Sequence, residues 1–151
     1  MGADYFFAEA RHYPALASIR YRFQNKNAGR PEDQGFIKTY VRYLEDETAL
    51  GRIKVFCAAE GETIIGSVNL VLVPKSPKPD RPASKIGYVT NTYVLPEYRN
   101  GGIGTRLLEN LEAYARDNSV ELIIVWPSTR SVPYYERAGY SGQNEILEKR
   151  L

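Results

Sequence analysis

One junction constrains this chain more than any other feature. Residues 85–94, KIGYVTNTYV, are rich in β-branched and aromatic residues and read as a strand. LPEYRNGGIGTRLLENLE follows at once. Beyond its glycines, Ile103, Leu107, Leu108, Leu111, Tyr114 and Ala115 recur at helical intervals on one face. A short apolar run closed by Pro127, ELIIVW (121–126), then reads as a strand buried on both faces. Gly101, Gly102 and Gly104 therefore stand at the mouth of a helix, where each costs about 1 kcal/mol against alanine. Either something approaches the backbone closely there, or the turn requires positive φ.

The remaining elements follow from periodicity. Tyr13 to Phe23 carries Leu16, Ile19 and Phe23 at helical spacing, with Pro14 in the first turn. A polar loop, NKNAGRPEDQG, leads to Asp33, which is placed to cap a second helix with Phe36, Ile37, Tyr40, Val41 and Leu44 on its apolar face. IKVFCAAE and TIIGSVNLVLV read as strands joined by a short turn at residues 60–62, and DYFFAE is a candidate first strand. The prolines of PKSPKPDRPAS (74–84) keep that segment out of pairing. VPYYERA reads as a short helix stopped by Gly139, and EILEKRL alternates like a last strand. The order predicts an α/β or α+β fold, a mixed sheet with helices on both faces, in one domain spanning residues 1–151.

Composition removes several functional classes. A net charge of +2 with no basic stripe argues against a nucleic-acid partner. Cys57 and His12 are each the sole residue of their type, so no disulfide framework, cysteine-based zinc site or multi-histidine metal site is expected. The N-terminus does not read as a signal peptide, and no apolar run approaches the roughly 20 residues of a membrane span. A soluble, cytoplasmic protein with no membrane partner is the expectation.

A helix N-terminus offers unpaired N–H groups and a partial positive charge, which suit a phosphate, and Arg99 and Arg106 add charge beside it. On the glycines alone, a plain strand-to-helix turn explains the pattern equally well. A Rossmann-type dinucleotide site would want a glycine where Leu107 stands and an acidic strand end where Trp126-Pro127 stands.

Two segments together resemble a known family. Arg99-Asn100-Gly101-Gly102-Ile103-Gly104 is similar to the (Gln/Arg)-x-x-Gly-x-(Gly/Ala) loop of the Gcn5-related N-acetyltransferases, the GNAT superfamily. TYVLPEY resembles the strand ending that precedes that loop, and SVPYYERAGY resembles the family's second signature. The resemblance implies a GNAT fold with a splayed pair of parallel strands, and acetyl-CoA as co-substrate. It places the pyrophosphate on Arg99, Asn100, Gly101, Gly102, Ile103, Gly104 and Thr105, and the pantetheine along Thr92, Tyr93 and Val94. A main-chain N–H near Val94 would then polarise the thioester carbonyl. Ser128 stands where many members carry a pantetheine-binding asparagine, and it is also placed to cap the short helix.

The same resemblance implies a role for Tyr135. A thiol has a pKa near ~8.5 and a tyrosine near ~10, so a tyrosine can protonate a departing thiolate. Tyr135 occupies the family's acid position, while Tyr134 packs. No base is evident: the strand KIGYVTNTYV contains no carboxylate, and Tyr88 stands where some members have glutamate. Asn91 is a candidate acceptor contact, and Tyr13, Tyr21, Tyr40, Tyr43 and Tyr93 are candidates for the acceptor wall. The expected reaction is direct attack of a small-molecule or peptide amine in a ternary complex, with a homodimer as a candidate assembly. Its rivals are a non-catalytic acyl-CoA-binding or regulatory module and, more remotely, a nucleotide-binding oxidoreductase.

Overall fold

The computed structural model describes residues 2–24, 30–142 and 146–151. Five strands form one sheet in the order β1 (Asp4–Phe7), β2 (Ile53–Glu60), β3 (Thr63–Pro74), β4 (Lys85–Val94) and β5 (Val120–Val125). The first four are antiparallel neighbours, and β4 and β5 run parallel. The helices are α1 (Tyr13–Gln24), α2 (Gln34–Ala49), α3 (Ile103–Asp117) and α4 (Val132–Arg137). None of the described helices is long and apolar enough to cross a membrane. DYFF, within the candidate first strand DYFFAE, is a strand and pairs with Phe56 to Ala59.

Strand periodicity divides the core between two faces. On β2, Ile53, Val55 and Cys57 point to one side, where Leu16 of α1 and Leu44 of α2 cover them. Phe56 and Ala58 point to the other, joined there by Val68 and Leu70 of β3. Leu107, Leu108, Leu111 and Ala115 of α3 close that second face, with Tyr135 of α4 beside them. Helices thus cover both faces of a mixed sheet, as expected.

The second helix starts where its cap was anticipated, with the Asp33 carboxylate accepting the Phe36 N–H at 3.1 Å. Asp33→Ala is expected to lower stability by about 0.5–2 kcal/mol, the usual worth of an N-cap, with activity unchanged. Urea denaturation checks it, and an unchanged midpoint would mean the bond contributes nothing.

Two sequence expectations are corrected at the far edge of the sheet. β5 is not buried on both faces: Leu122 is 48% exposed, and Trp126, just past the strand, is 59% exposed. The cover is one-sided: Val120, Ile123 and Val125 pack against the core under α3, whereas no β5 residue joins the core under α1 and α2, and β5 is also the sheet's edge. EILEKRL supplies no further strand; residues 146–151 carry no regular structure, and Glu145 lies outside the described residues. Between the edge and α4 lies a hollow of about 1110 Å³. The loop after β3 stays out of the sheet, with a single isolated bridge between Lys78 and Arg81. It is tied to β5 through Glu121, which accepts from Lys75 and, at 2.8 Å, from Arg81. Those bonds hold the exposed Glu121 carboxyl down at about 2.

Candidate functional site

Strands β4 and β5 pair only from Lys85 with Val120 to Val89 with Val125. β4 continues to Val94 beside β3 alone, so the parallel pair opens into a V at the C-terminal end of β4. At the same place β4 bulges: Ser67 faces Tyr93 while Asn69 faces Thr90, which leaves one extra residue on β4. Asn91 lies within the bulge, in the left-handed region at φ 53°. Asparagine tolerates that conformation better than most residues.

Past the bulge, Leu95 donates its N–H to Ile65 O at 2.8 Å. Successive N–H groups of an antiparallel strand point to opposite sides. The Val94 N–H is therefore directed away from β3, into the V. Arg99 folds back to donate Nε–H to Val94 O at 2.9 Å.

The loop into α3 answers the question its glycines raised. Gly102 caps the helix at φ 83°, so this position needs the left-handed backbone that glycine supplies. Gly104 meets a close neighbour, since a Cβ there would stand 3.3 Å from Cε2 of Tyr134. The Tyr134 hydroxyl donates to Gly104 O at 2.5 Å, locking α4 to the first turn of α3. No side chain caps α3. The first helical bond runs from Arg106 N–H to Gly102 O, so the amides of Ile103, Gly104 and Thr105 have no partner among the described residues.

These features open on one cleft of about 690 Å³. Asn91, Thr92, Tyr93 and Val94 line it from β4. Arg99, Asn100, Gly102, Ile103, Gly104 and Thr105 line it from the loop, and Ser128 lines it near α4. Gly101, expected in the same set, is not among its walls. Ser128 does not cap α4: its hydroxyl donates to Ser131 Oγ at 3.0 Å, and the N-cap residue is Ser131, whose hydroxyl donates back to Ser128 O and not to the helix. Tyr93 stacks on Phe23 at 3.8 Å, and its buried hydroxyl has no hydrogen-bond partner among the described residues.

Tyr135 stands behind the cleft instead of lining it. Its ring is 5% exposed and packs edge-on against Tyr134 at 4.8 Å and Tyr140 at 5.5 Å. Its hydroxyl meets Thr92 Oγ1 at 2.9 Å, and Thr92 does line the cleft. Burial raises the Tyr135 pKa, only partly offset by the Thr92 hydrogen bond, so the phenol holds its proton at neutral pH. Burial likewise pushes the Cys57 thiol up to about 12 inside the core under α1 and α2, far from any nucleophilic role.

On the opposite wall, Arg20, Tyr40 and Asn69 enter the cleft. Tyr40 and Tyr93 are the tyrosines of the expected acceptor wall that line it; Tyr13 instead bonds Thr48, and Tyr21 packs on Phe36. Arg20 and Asn69 were not anticipated from the sequence. For Arg20 a signal existed, because it lies four residues after Leu16 and so on the covered side of α1. Four arginines, Arg20, Arg99, Arg130 and Arg137, line the cleft, and no aspartate or glutamate among the described residues does. Neither do the described residues contain a cluster of histidine, cysteine and carboxylates able to hold a metal ion.

Comparison with known proteins gives the same neighbourhood. The acetyltransferase (GNAT) family profile matches residues 16–140. Glucosamine 6-phosphate N-acetyltransferase of Trypanosoma brucei brucei is 32% identical over 87 residues, covering 58% of this chain and 57% of that protein. The matched region thus spans little more than half of that relative's length. Among solved structures, a predicted acetyltransferase of Clostridium acetobutylicum crystallised with acetyl-CoA superposes with a TM-score of 0.80. It is 26% identical, over 98% of this chain and 96% of the other. Glucosamine-6-phosphate N-acetyltransferase of Arabidopsis thaliana, 16% identical over 99% of both chains, shares the fold with a TM-score of 0.73.

Proposed function

The chain belongs to the acetyltransferase (GNAT) family, and from that premise we propose that it transfers an acetyl group from acetyl-CoA to a primary amine by direct attack in a ternary complex. One observation carries the reading. The opened end of β4, the uncapped start of α3 and the Thr92–Tyr135 hydroxyl pair meet at a single cleft.

The residues present suit the co-substrate. The amides of Ile103, Gly104 and Thr105, with the helix dipole behind them, form an anion cradle for the pyrophosphate. Arg99, Asn100 and Gly102 complete that side, Gly101 supplies the turn without reaching the cleft wall, and Ser128 is left for the pantetheine. The pantetheine lies along Thr92, Tyr93 and Val94, in the V that β5 vacates. The Val94 N–H faces the thioester oxygen and stabilises the charge that gathers there during attack.

The neutral amine nitrogen attacks the carbonyl carbon, a C–N bond forms, and the C–S bond breaks. Tyr135, behind the cleft, gives its phenolic proton to Thr92 Oγ1 as the Thr92 hydroxyl protonates the departing thiolate, and the proton lost by the attacking nitrogen returns to the pair through Thr92. Among the described residues no carboxylate or imidazole lines the cleft, and the attacking amine is the fraction already deprotonated in solution. A buried, inert Cys57 leaves no thiol to carry the acetyl group, which favours direct attack over an acetyl-enzyme.

Two measurements test this function. Acetyl-CoA at ~100 times its Kd adds about 2.7 kcal/mol, a rise of roughly 5–10 °C in melting temperature for a chain of this size. Thiol release across a panel of amines then tests transfer. Glucosamine 6-phosphate, named for the Trypanosoma relative, belongs in that panel. A melting shift without thiol release would instead identify a non-catalytic acyl-CoA-binding module.

A further inference from the structure

Arg20 reaches into the cleft from α1, and its Nη1 donates to Asn91 Oδ1. A guanidinium can only donate, so this contact fixes the Asn91 oxygen and turns its amide nitrogen the other way. That Nδ2 donates to the Tyr40 hydroxyl at 2.7 Å. Asn69, 2% exposed, donates to the same oxygen at 3.2 Å. Two amides therefore occupy both lone pairs of Tyr40, which leaves its O–H as a donor with no acceptor among the described residues. Arg20 has spent one of its five N–H groups on Asn91 and forms no ion pair with a described carboxylate.

The result is a concentration of unused donors with positive charge and, among the described residues of the cleft wall, no carboxylate. It sits beside the reacting end of the cleft: Asn91 directly precedes Thr92, whose hydroxyl meets Tyr135. The left-handed backbone of Asn91 holds this residue in its bonding position at the bulge. A conformation of that kind is commonly retained for function.

We propose that Arg20 and the Tyr40 hydroxyl bind an anionic group on the acceptor, so that the substrates are small amines carrying a carboxylate or a phosphate. The inference rests on the acetyl-transfer reading and adds the acceptor class to it. A polyamine or a basic peptide is disfavoured, because it brings like charge against Arg20 in a cleft whose described walls hold no carboxylate.

Thiol release at saturating acetyl-CoA, measured on matched acceptors, decides it. The pairs are 2-aminoethyl phosphate with ethanolamine and β-alanine with its amide, with spermidine as the polycation. An anionic member is expected to exceed its neutral partner by about tenfold or more in kcat/KM, the scale of one charge-assisted contact. Whichever pair shows the larger ratio tells phosphate from carboxylate. In Arg20→Gln the ratio should collapse through a raised acceptor KM, while the acetyl-CoA melting shift stays as before; Arg20→Lys should recover part of it. Preference for spermidine or the neutral members overturns the proposal, as does an anion preference that survives in Arg20→Gln. Transfer to none of the amines, with the acetyl-CoA shift retained, overturns both this proposal and acetyl transfer. Loss of that shift in the unmodified chain overturns the co-substrate assignment separately.

Discussion

Tyr135→Phe is expected to lower turnover by about 10²–10⁴-fold, the usual worth of a positioned general acid, while acetyl-CoA still raises the melting temperature. Phenylalanine keeps the ring that packs between Tyr134 and Tyr140. It removes one hydroxyl, and with it the 2.9 Å contact to Thr92. Thr92 lines the cleft, so its freed hydroxyl can turn to solvent, and the stability loss should stay near ~1 kcal/mol. Steady-state thiol release with an activated thioester of low leaving-group pKa sharpens the measurement. Such a donor needs little proton assistance, so the variant should recover much of its rate on it. Full turnover on acetyl-CoA itself would remove Tyr135 from the role of acid.

Leu107→Ala should cost about 2–5 kcal/mol of stability, as truncation of a fully buried leucine does. Leu107 is 0% exposed, and its Cδ1 reaches within 3.2 Å of where a Cβ on Gly66 would stand. Ile103, one turn earlier, fills the same notch with its Cγ2 at 3.3 Å. The first turn of α3 is thus seated on β3 directly across from Val94, the register partner of Gly66. Emptying that seat loosens the amides that would hold the pyrophosphate, so a smaller acetyl-CoA melting shift is expected with the lower stability. Denaturant titration with and without acetyl-CoA reads both. A loss below ~1 kcal/mol would show that α3 is anchored elsewhere.

Local chemistry made much of this architecture legible in the sequence. The α3 face at Ile103, Leu107, Leu108, Leu111 and Ala115 emerged because helical period and burial coincide there. Asp33 was recognisable because a cap needs only its own first turn. What escaped depends on neighbours distant in sequence. ELIIVW is apolar enough for a central strand, but whether both its faces are covered depends on where the helices lie, and the core under α1 and α2 takes no β5 residue. The bulge at Asn91 left only the polar run Thr90, Asn91 and Thr92 as a trace, without showing that one residue was extra. Arg20 and Asn69 join the cleft through Asn91 and Tyr40, contacts that span 71 and 29 residues. Tyr135 was singled out as a proton donor through the resemblance alone, and its place behind Thr92 instead of on the cleft wall required the packing of α4.

The bulge on β4 has a consequence for how such a protein can diversify. Asn91 turns toward α1 and α2, and Thr92 turns toward α4. Adjacent residues thereby address opposite faces, one toward the acceptor's anion and the other toward the proton donor. Under the functions proposed here, mutations in the first two helices can exchange one acceptor for another without disturbing the amides, the tyrosine or the donor cradle. Selection can act on choice of acceptor and on chemical step as separate traits, with a single peptide bond as their shared boundary.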